Sequence, residues 1–169
     1  GRPLKDEDGF LRGGMIVFHD VSKQRIAEEN PDSISMQMSA LIENQQAGVL
    51  VEDENRRIQR VNQAFCEMFS ISAQQADLIG RDCSEYNWLL AARCHDPEGF
   101  IGRINQVMHE KNVVLNEEIR FLDGRSFQRD YIPVFGSSDS HIHIWQYRDI
   151  TDRQRLRDKM LIYKRLSSA

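Results

Sequence analysis

Three cysteines and five histidines are the side chains of this 169-residue sequence best suited to chemistry beyond charge and hydrogen bonding. Cys83 stands out in the stretch GRDCSEYNW, Gly80 to Trp88. It is either a reactive thiol or a small residue buried in a short helix, and the second reading is favoured. Cys66, Cys83 and Cys94 are odd in number and lack framework spacing, which suits free thiols in a reducing cytoplasm. His95, in CHDPEGFIGRI, precedes a proline-started helix and is the weak candidate for an iron ligand. His109, near the far end of that helix, reads as a solvated surface residue. His141 and His143 alternate on a strand and share a face, but no third ligand stands at supporting spacing, so no metal site is expected. The acidic stretches KDEDG and VEDEN lack the spacing of a calcium loop and sit where turns are expected. A glycine-rich phosphate loop, a nucleophile elbow and an HExxH motif are all missing, so the chain reads as a regulatory domain rather than an enzyme.

The elements that would position these residues follow from pattern. A 40% hydrophobic, 28% charged chain suits one soluble domain with flanking segments. Its net charge of -4 disfavours nucleic acid and direct contact with an anionic membrane. Ser22 to Glu29 reads as a helix that Pro31 ends, and Ile34 to Asn44 as a second, with Ile34, Met38, Leu41 and Ile42 on one stripe. Ala47 to Glu52 and Ile58 to Val61 form a hairpin around Asp53-Glu54-Asn55. Asn62 caps a helix carrying Phe65, Met68 and Phe69, and a short helix from Ser72 to Ile79 stops at Gly80. Pro97 opens a longer helix with Phe100, Ile101, Ile104, Val107 and Met108 on one face. Strands are expected over Val113 to Leu122, Ser126 to Phe135 and His141 to Arg148, with a tight turn at Asp123-Gly124. Two strands, several short helices and three strands predict an α+β domain, a five-stranded antiparallel sheet with helices on one face.

The ends of the chain resemble each other. RPLKDEDGFLRGGMIVFHDVSKQR and IPVFGSSDSHIHIWQYRDITDRQR each run from a proline through a polar turn and a β-rich stretch to Asp, a β-branched residue and Ser or Thr. The first copy is therefore expected to be the closing hairpin of an upstream domain. Its apolar Met15-Ile16-Val17-Phe18 would pack on this sheet or a partner chain, or stay disordered.

This order of elements, with AGVLVEDENRRIQRVNQAFCEMFSISAQQADLIG, the FLDG turn and the closing WQYRDIT, resembles the PAS (PAS/PAC sensory-box) family of bacterial multi-domain signalling proteins. The resemblance runs from about Ser33 to Thr151. It implies four segments: residues 1–21 as the tail of an upstream PAS domain, 22–45 as a helical linker and cap helix, 46–151 as the PAS domain, and 152–169 as a C-terminal signalling helix. It also implies a sensory input and dimerisation module that relays a small-ligand or partner signal through flanking helices. The output domain of the same chain would be a histidine kinase or a diguanylate cyclase. Asp149, Ile150 and Thr151 would relay the signal, and Leu156, Met160 and Tyr163, on one face at coiled-coil spacing, would pair in a homodimer.

Flavin- and haem-based redox, gas or light sensing is the alternative within the family. The flavin-binding members carry Asn before the cysteine and polar groups on the central strands. Here Asp82 precedes Cys83, the strand positions are Ile119, Arg129 and Tyr147, and Gln146 is one residue off. In the haem-binding members a His-Asp leads directly into the long helix, whereas Pro97-Glu98-Gly99 intervene after His95. Both cofactors are disfavoured; the expected occupant is a small metabolite or none. Phe65, Phe69, Trp88, Ile104, Ile119, Phe121, Tyr131, Trp145 and Tyr147 are the candidates to line or fill the pocket, with Arg103 and Arg129 as its polar groups if they point inward.

Overall fold

The computed structural model describes residues 31–136 and 140–168. The expected upstream hairpin, with its likeness to the C-terminal strands, and the expected Ser22 to Glu29 helix lie outside the described residues. Contacts divide the chain into two units, Gly1–Ala40 and Leu41–Ala169. Among the described residues of the first is the opening of helix α1 (Pro31–Glu43), which starts before the expected Ile34. Met38 and Leu41 of its apolar stripe are exposed. No helix among the described residues is long and apolar enough to cross a membrane.

The second unit is built on five strands: β1 (Gly48–Asp53), β2 (Ile58–Val61), β3 (Val114–Arg120), β4 (Ser126–Phe135) and β5 (His141–Asp149). Their spatial order is β2-β1-β5-β4-β3, and each neighbouring pair is antiparallel. The first and last strands in sequence therefore meet at the centre. Between β2 and β3 run helices α2 (Gln63–Met68), α3 (Gln75–Leu78), α4 (Cys83–Ala91) and α5 (Pro97–Glu110), and after β5 comes α6 (Thr151–Ser167). This is the expected α+β order, with the sheet edges within two residues of the strands expected from sequence. The helix expected over Ser72 to Ile79 shrinks to the single turn α3, because Ser72 and Gln74 are exposed and Leu78 alone is buried there.

Local chemistry sets the joints. Asn62 is fully buried and uses its whole carboxamide: Oδ1 accepts from Val49 N at 2.8 Å and Phe65 N at 3.0 Å, while Nδ2 donates to the Ile42 and Ala47 carbonyls at 2.9 Å. One side chain thus caps α2 and holds the entry to β1. Gly48 sits where that joint is tightest, since a Cβ there would meet Phe65 Cα at 2.9 Å. Asp82 and Asp96 cap α4 and α5 by accepting from Ser84 N and Gly99 N. Gly124, with φ of +88°, closes the β3–β4 hairpin. A bulge interrupts β3 between Val114 and Glu117; there Asn116 adopts a φ of 61°, and Asp130 Oδ1 accepts its N–H at 2.7 Å.

The core lies between the helices and the inner sheet face, where Leu50, Ile58, Phe65, Phe69, Leu78, Leu90, Ile104, Val107 and Phe127 are buried. It also holds a polar pair: the Tyr131 hydroxyl and His143 Nδ1 share a hydrogen bond of 2.7 Å, with both residues almost fully buried. Burial pushes the His143 imidazole down from 6.5 to about 4; His141, Arg56 and Lys111 act in the same direction, and Asp53 opposes them.

Two outcomes are expected from this packing. Asn62→Ala removes four hydrogen bonds and leaves buried backbone groups unpaired, so urea denaturation should register a loss of about 3 kcal/mol or more. His143 stays neutral in the folded protein yet titrates at its ordinary value when unfolded. Its contribution is therefore complete above pH 6.5 and lost as pH falls toward about 4, by something on the order of 3 kcal/mol at most. His143→Gln should flatten that part of the stability–pH curve relative to the parent protein, as followed by denaturation across the same interval.

Candidate functional site

The inner sheet face is where the pocket candidates meet. Phe65, Phe69, Ile104, Phe121, Tyr131, Trp145 and Tyr147 are buried there, and Ile119 is half-buried against them. The rings pack on one another: Phe65 on Phe69 at 4.9 Å, Phe69 on Tyr147 at 5.1 Å, and Tyr131 on Trp145 at 4.6 Å. Phe127, which was not among the candidates, completes the set against Phe69 and Phe121. Trp88 does not belong to it. Helix α4 turns Cys83, Tyr86, Asn87, Leu90 and Ala91 inward, and a step of 100° per residue then carries Trp88 outward, 53% exposed beside Leu89.

Two ionic clusters are set into this apolar surface. Arg129 points inward and is only 2% exposed. Its guanidinium lies over the rings of Phe100 and Trp145, at 5.2 and 5.4 Å from their centroids, and beside the Tyr147 hydroxyl. Arg129 Nε and Nη2 donate to Glu117 Oε2 at 3.0 and 2.5 Å, and Arg103 Nε donates to Glu117 Oε1 at 2.6 Å. Burial alone would push the Glu117 carboxyl up, but the two guanidinium groups outweigh it and hold Glu117 below the usual carboxylate range. Arg129 Nη1 is buried without a hydrogen-bond partner.

In the second cluster, Glu52 is fully buried and accepts from Trp145 Nε1 and Arg56 Nε, each at 2.7 Å. Cys83 lies beside both charges. Burial, reinforced by Glu52 and opposed by Arg56, pushes its thiol well above the usual cysteine range. It is therefore a buried, protonated residue at the start of a short helix. His95 is exposed in the turn ahead of α5, and His109 is exposed near its end. Among the described residues no group of three His, Cys, Asp or Glu side chains could hold a metal ion.

The passage from β5 to α6 is tied to β4. Thr151 is the first residue of α6; its N–H and hydroxyl donate to Asp149 Oδ1 at 2.9 and 2.5 Å. The Thr151 Oγ1 also accepts from Ser126 N at 3.1 Å, and Ile150 N donates to the Ser126 carbonyl at 2.9 Å. Ile150 is buried. Further along the helix, the buried Gln154 donates to Glu118 of β3, and Arg157 reaches the same carboxylate at 3.4 Å. Beyond that turn Leu156, Met160 and Tyr163 are 56%, 58% and 78% exposed.

Sequence reasoning missed Glu52, Glu117, Glu118 and Gln154. The pairing of Glu117 with Arg129 was available by counting out from the Asp123-Gly124 turn. Gln154 gave no such signal, because what buries it is a residue far away in sequence. Gln146 stands on the face opposite Tyr147 and pairs with Gln45 at 3.0 Å, following the strand alternation.

A family model described as a PAS domain matches residues 36–105. The sequence matches no curated protein. Among solved structures, the PAS domain of Bordetella pertussis BvgS is 22% identical with a TM-score of 0.55, over 79% of this chain and 98% of that one. An RNA-binding light-oxygen-voltage receptor is 20% identical with a TM-score of 0.57, over 83% of this chain but 39% of its own. The Escherichia coli DhaR(N)–DhaL complex is 16% identical with a TM-score of 0.52, over 69% and 35%. The matched segment begins in α1 and runs through β1, β2 and the helices into α5, and the strands that follow complete the same sheet, so the fold is that of a PAS domain.

Proposed function

We propose that this chain is a cytoplasmic sensory and dimerisation module that passes a small-ligand or partner signal from the inner sheet face through α6 to an output domain, such as a histidine kinase or a diguanylate cyclase. The observation that carries this reading is the way α6 is held. Its first turn is fixed to the sheet by Asp149, Thr151 and Gln154, while its remaining length offers Leu156, Met160 and Tyr163 to solvent. A helix anchored at one end and apolar on an unpaired stripe suits a lever that pairs with its counterpart in a second copy.

The adjacent residues Glu117 and Glu118 support the coupling. Glu117 faces inward to Arg129, and Glu118 faces outward to Gln154 and Arg157 of α6. A shift of β3 that follows a change at Arg129 therefore reaches the helix through a single peptide unit. The three cysteines are buried free thiols, in keeping with a reducing compartment.

Sedimentation velocity tests the dimer. The parent chain is expected to sediment as a dimer, and Leu156→Glu with Met160→Glu should weaken association at least tenfold by burying charge in the pairing stripe. A parent chain that stays monomeric at high concentration sinks the dimer reading. Thr151→Val keeps the β-branched shape but loses the hydroxyl that binds Ser126. It should cost about 1–2 kcal/mol of stability and speed amide hydrogen exchange in the first turn of α6 more than in β1.

A further inference from the structure

The Arg103–Glu117–Arg129 cluster holds two guanidinium groups and one carboxylate, so it carries one uncompensated positive charge on the inner sheet face. Arg129 itself is 2% exposed, and its Nη1 is a buried donor that makes no hydrogen bond, with the Tyr147 hydroxyl beside the guanidinium. A buried N–H left unpaired is costly, and a buried charge costs more. The same guanidinium lies over the buried rings of Phe100 and Trp145, so the donor stands in apolar, aromatic surroundings. Arg103 and Glu117 keep side chains 36% and 23% exposed, so the cluster reaches solvent where α5 meets β3. These features leave the cluster short of one negative charge and one acceptor.

We propose that Arg129 anchors a small carboxylate ligand on the inner sheet face, its Nη1 donating to the carboxylate while the ligand body lies against Phe100 and Trp145. This rests on the sensory reading above and adds the chemical class of the ligand. The arrival of one carboxylate would neutralise the cluster and satisfy the orphaned donor at once. It would also compete with Glu117 for the two arginines, which makes Glu117 the residue that responds.

Calorimetric titration of the full chain with benzoate, acetate and the neutral benzamide tests this, with the Trp145 indole N–H resonance followed in ¹⁵N-labelled protein carrying Trp88→Phe. Benzoate should bind saturably, at least tenfold tighter than benzamide, and move the Trp145 resonance. Arg129→Lys keeps a cation for Glu117 but removes the second donor arm, and Arg129→Gln removes the charge; each should lose at least tenfold in benzoate affinity. Should Arg129→Gln fail to fold, Arg129→Lys decides alone. Benzamide binding as tightly as benzoate would overturn the carboxylate class while leaving a ligand-binding module in place. Equal benzoate affinity in Arg129→Lys and the parent would overturn the anchor, as would the absence of saturable binding by either carboxylate, which would leave a bound water as the partner of Nη1.

Discussion

Neighbouring side chains of a β-strand point to opposite faces, and in this domain that constraint turns short runs of sequence into two-sided devices. Strand β5 sends His143, Trp145 and Tyr147 to the helix-covered face, and Gln146 and Arg148 to the other. Strand β4 sends Arg129 and Tyr131 inward, and Asp130 outward to Arg148 and the Asn116 bulge. Strand β3 sends Glu117 to the interior and Glu118 to α6. Because β1 and β5 pair at the centre of the sheet, the first and last strands of the domain share one register, and the helix that leaves β5 inherits it.

The inner face mixes a close-packed aromatic core with buried charge. Apolar rings alone would be stable without Arg129 or Glu52, and replacing buried ion pairs with apolar groups is often neutral or stabilising. The two clusters therefore have no stability rationale that the surrounding rings could not meet. Each is arranged differently. Glu52 is satisfied by Trp145 and Arg56 and ties β1 to β5 and to the turn after β1. Arg129 Nη1 is left without an acceptor, as is Arg56 Nη2 beside Glu52, and the Arg129 guanidinium lies over the rings of Phe100 and Trp145. A donor left open at a ring-lined position is the kind of local cost that a domain retains where the position serves binding rather than folding.

Much of this fold was legible because its signals are local. Strand alternation, the Asn62 and Pro97 helix starts and the Asp123-Gly124 turn each reside in a few contiguous residues, and together they gave the five strands in order. The site was legible in part. Alternation set Tyr147 and Gln146 on opposite faces, while the inward turn of Arg129 was left open and came only with the register of β4 on β5. Trp88 turns outward against expectation because a nine-residue helix with apolar residues on most sides has no clear stripe to orient it, and residue type alone does not say which way an aromatic ring points. Glu52 was hidden for the opposite reason: it looked like one more acid in VEDEN, and only the register of β1 on β5 brings it beside Trp145 and His143.

The junction at Thr151 shows how a capping motif can become a mechanical one. In an isolated helix Asp149 would do no more than accept an N–H from the first turn. Here the same carboxylate also receives the Thr151 hydroxyl proton, which turns the Thr151 oxygen toward Ser126 N and fixes the helix start to the beginning of β4. Glu118 then meets Gln154 one turn later, so β3, β4 and β5 all hold the first turn of α6. Rotation of α6 about its axis would break contacts to three strands at once, whereas bending beyond Arg157 would break none of them. Motion of the sheet is thus transmitted as motion of the helix as a whole, and the exposed stripe from Leu156 to Tyr163 moves with it.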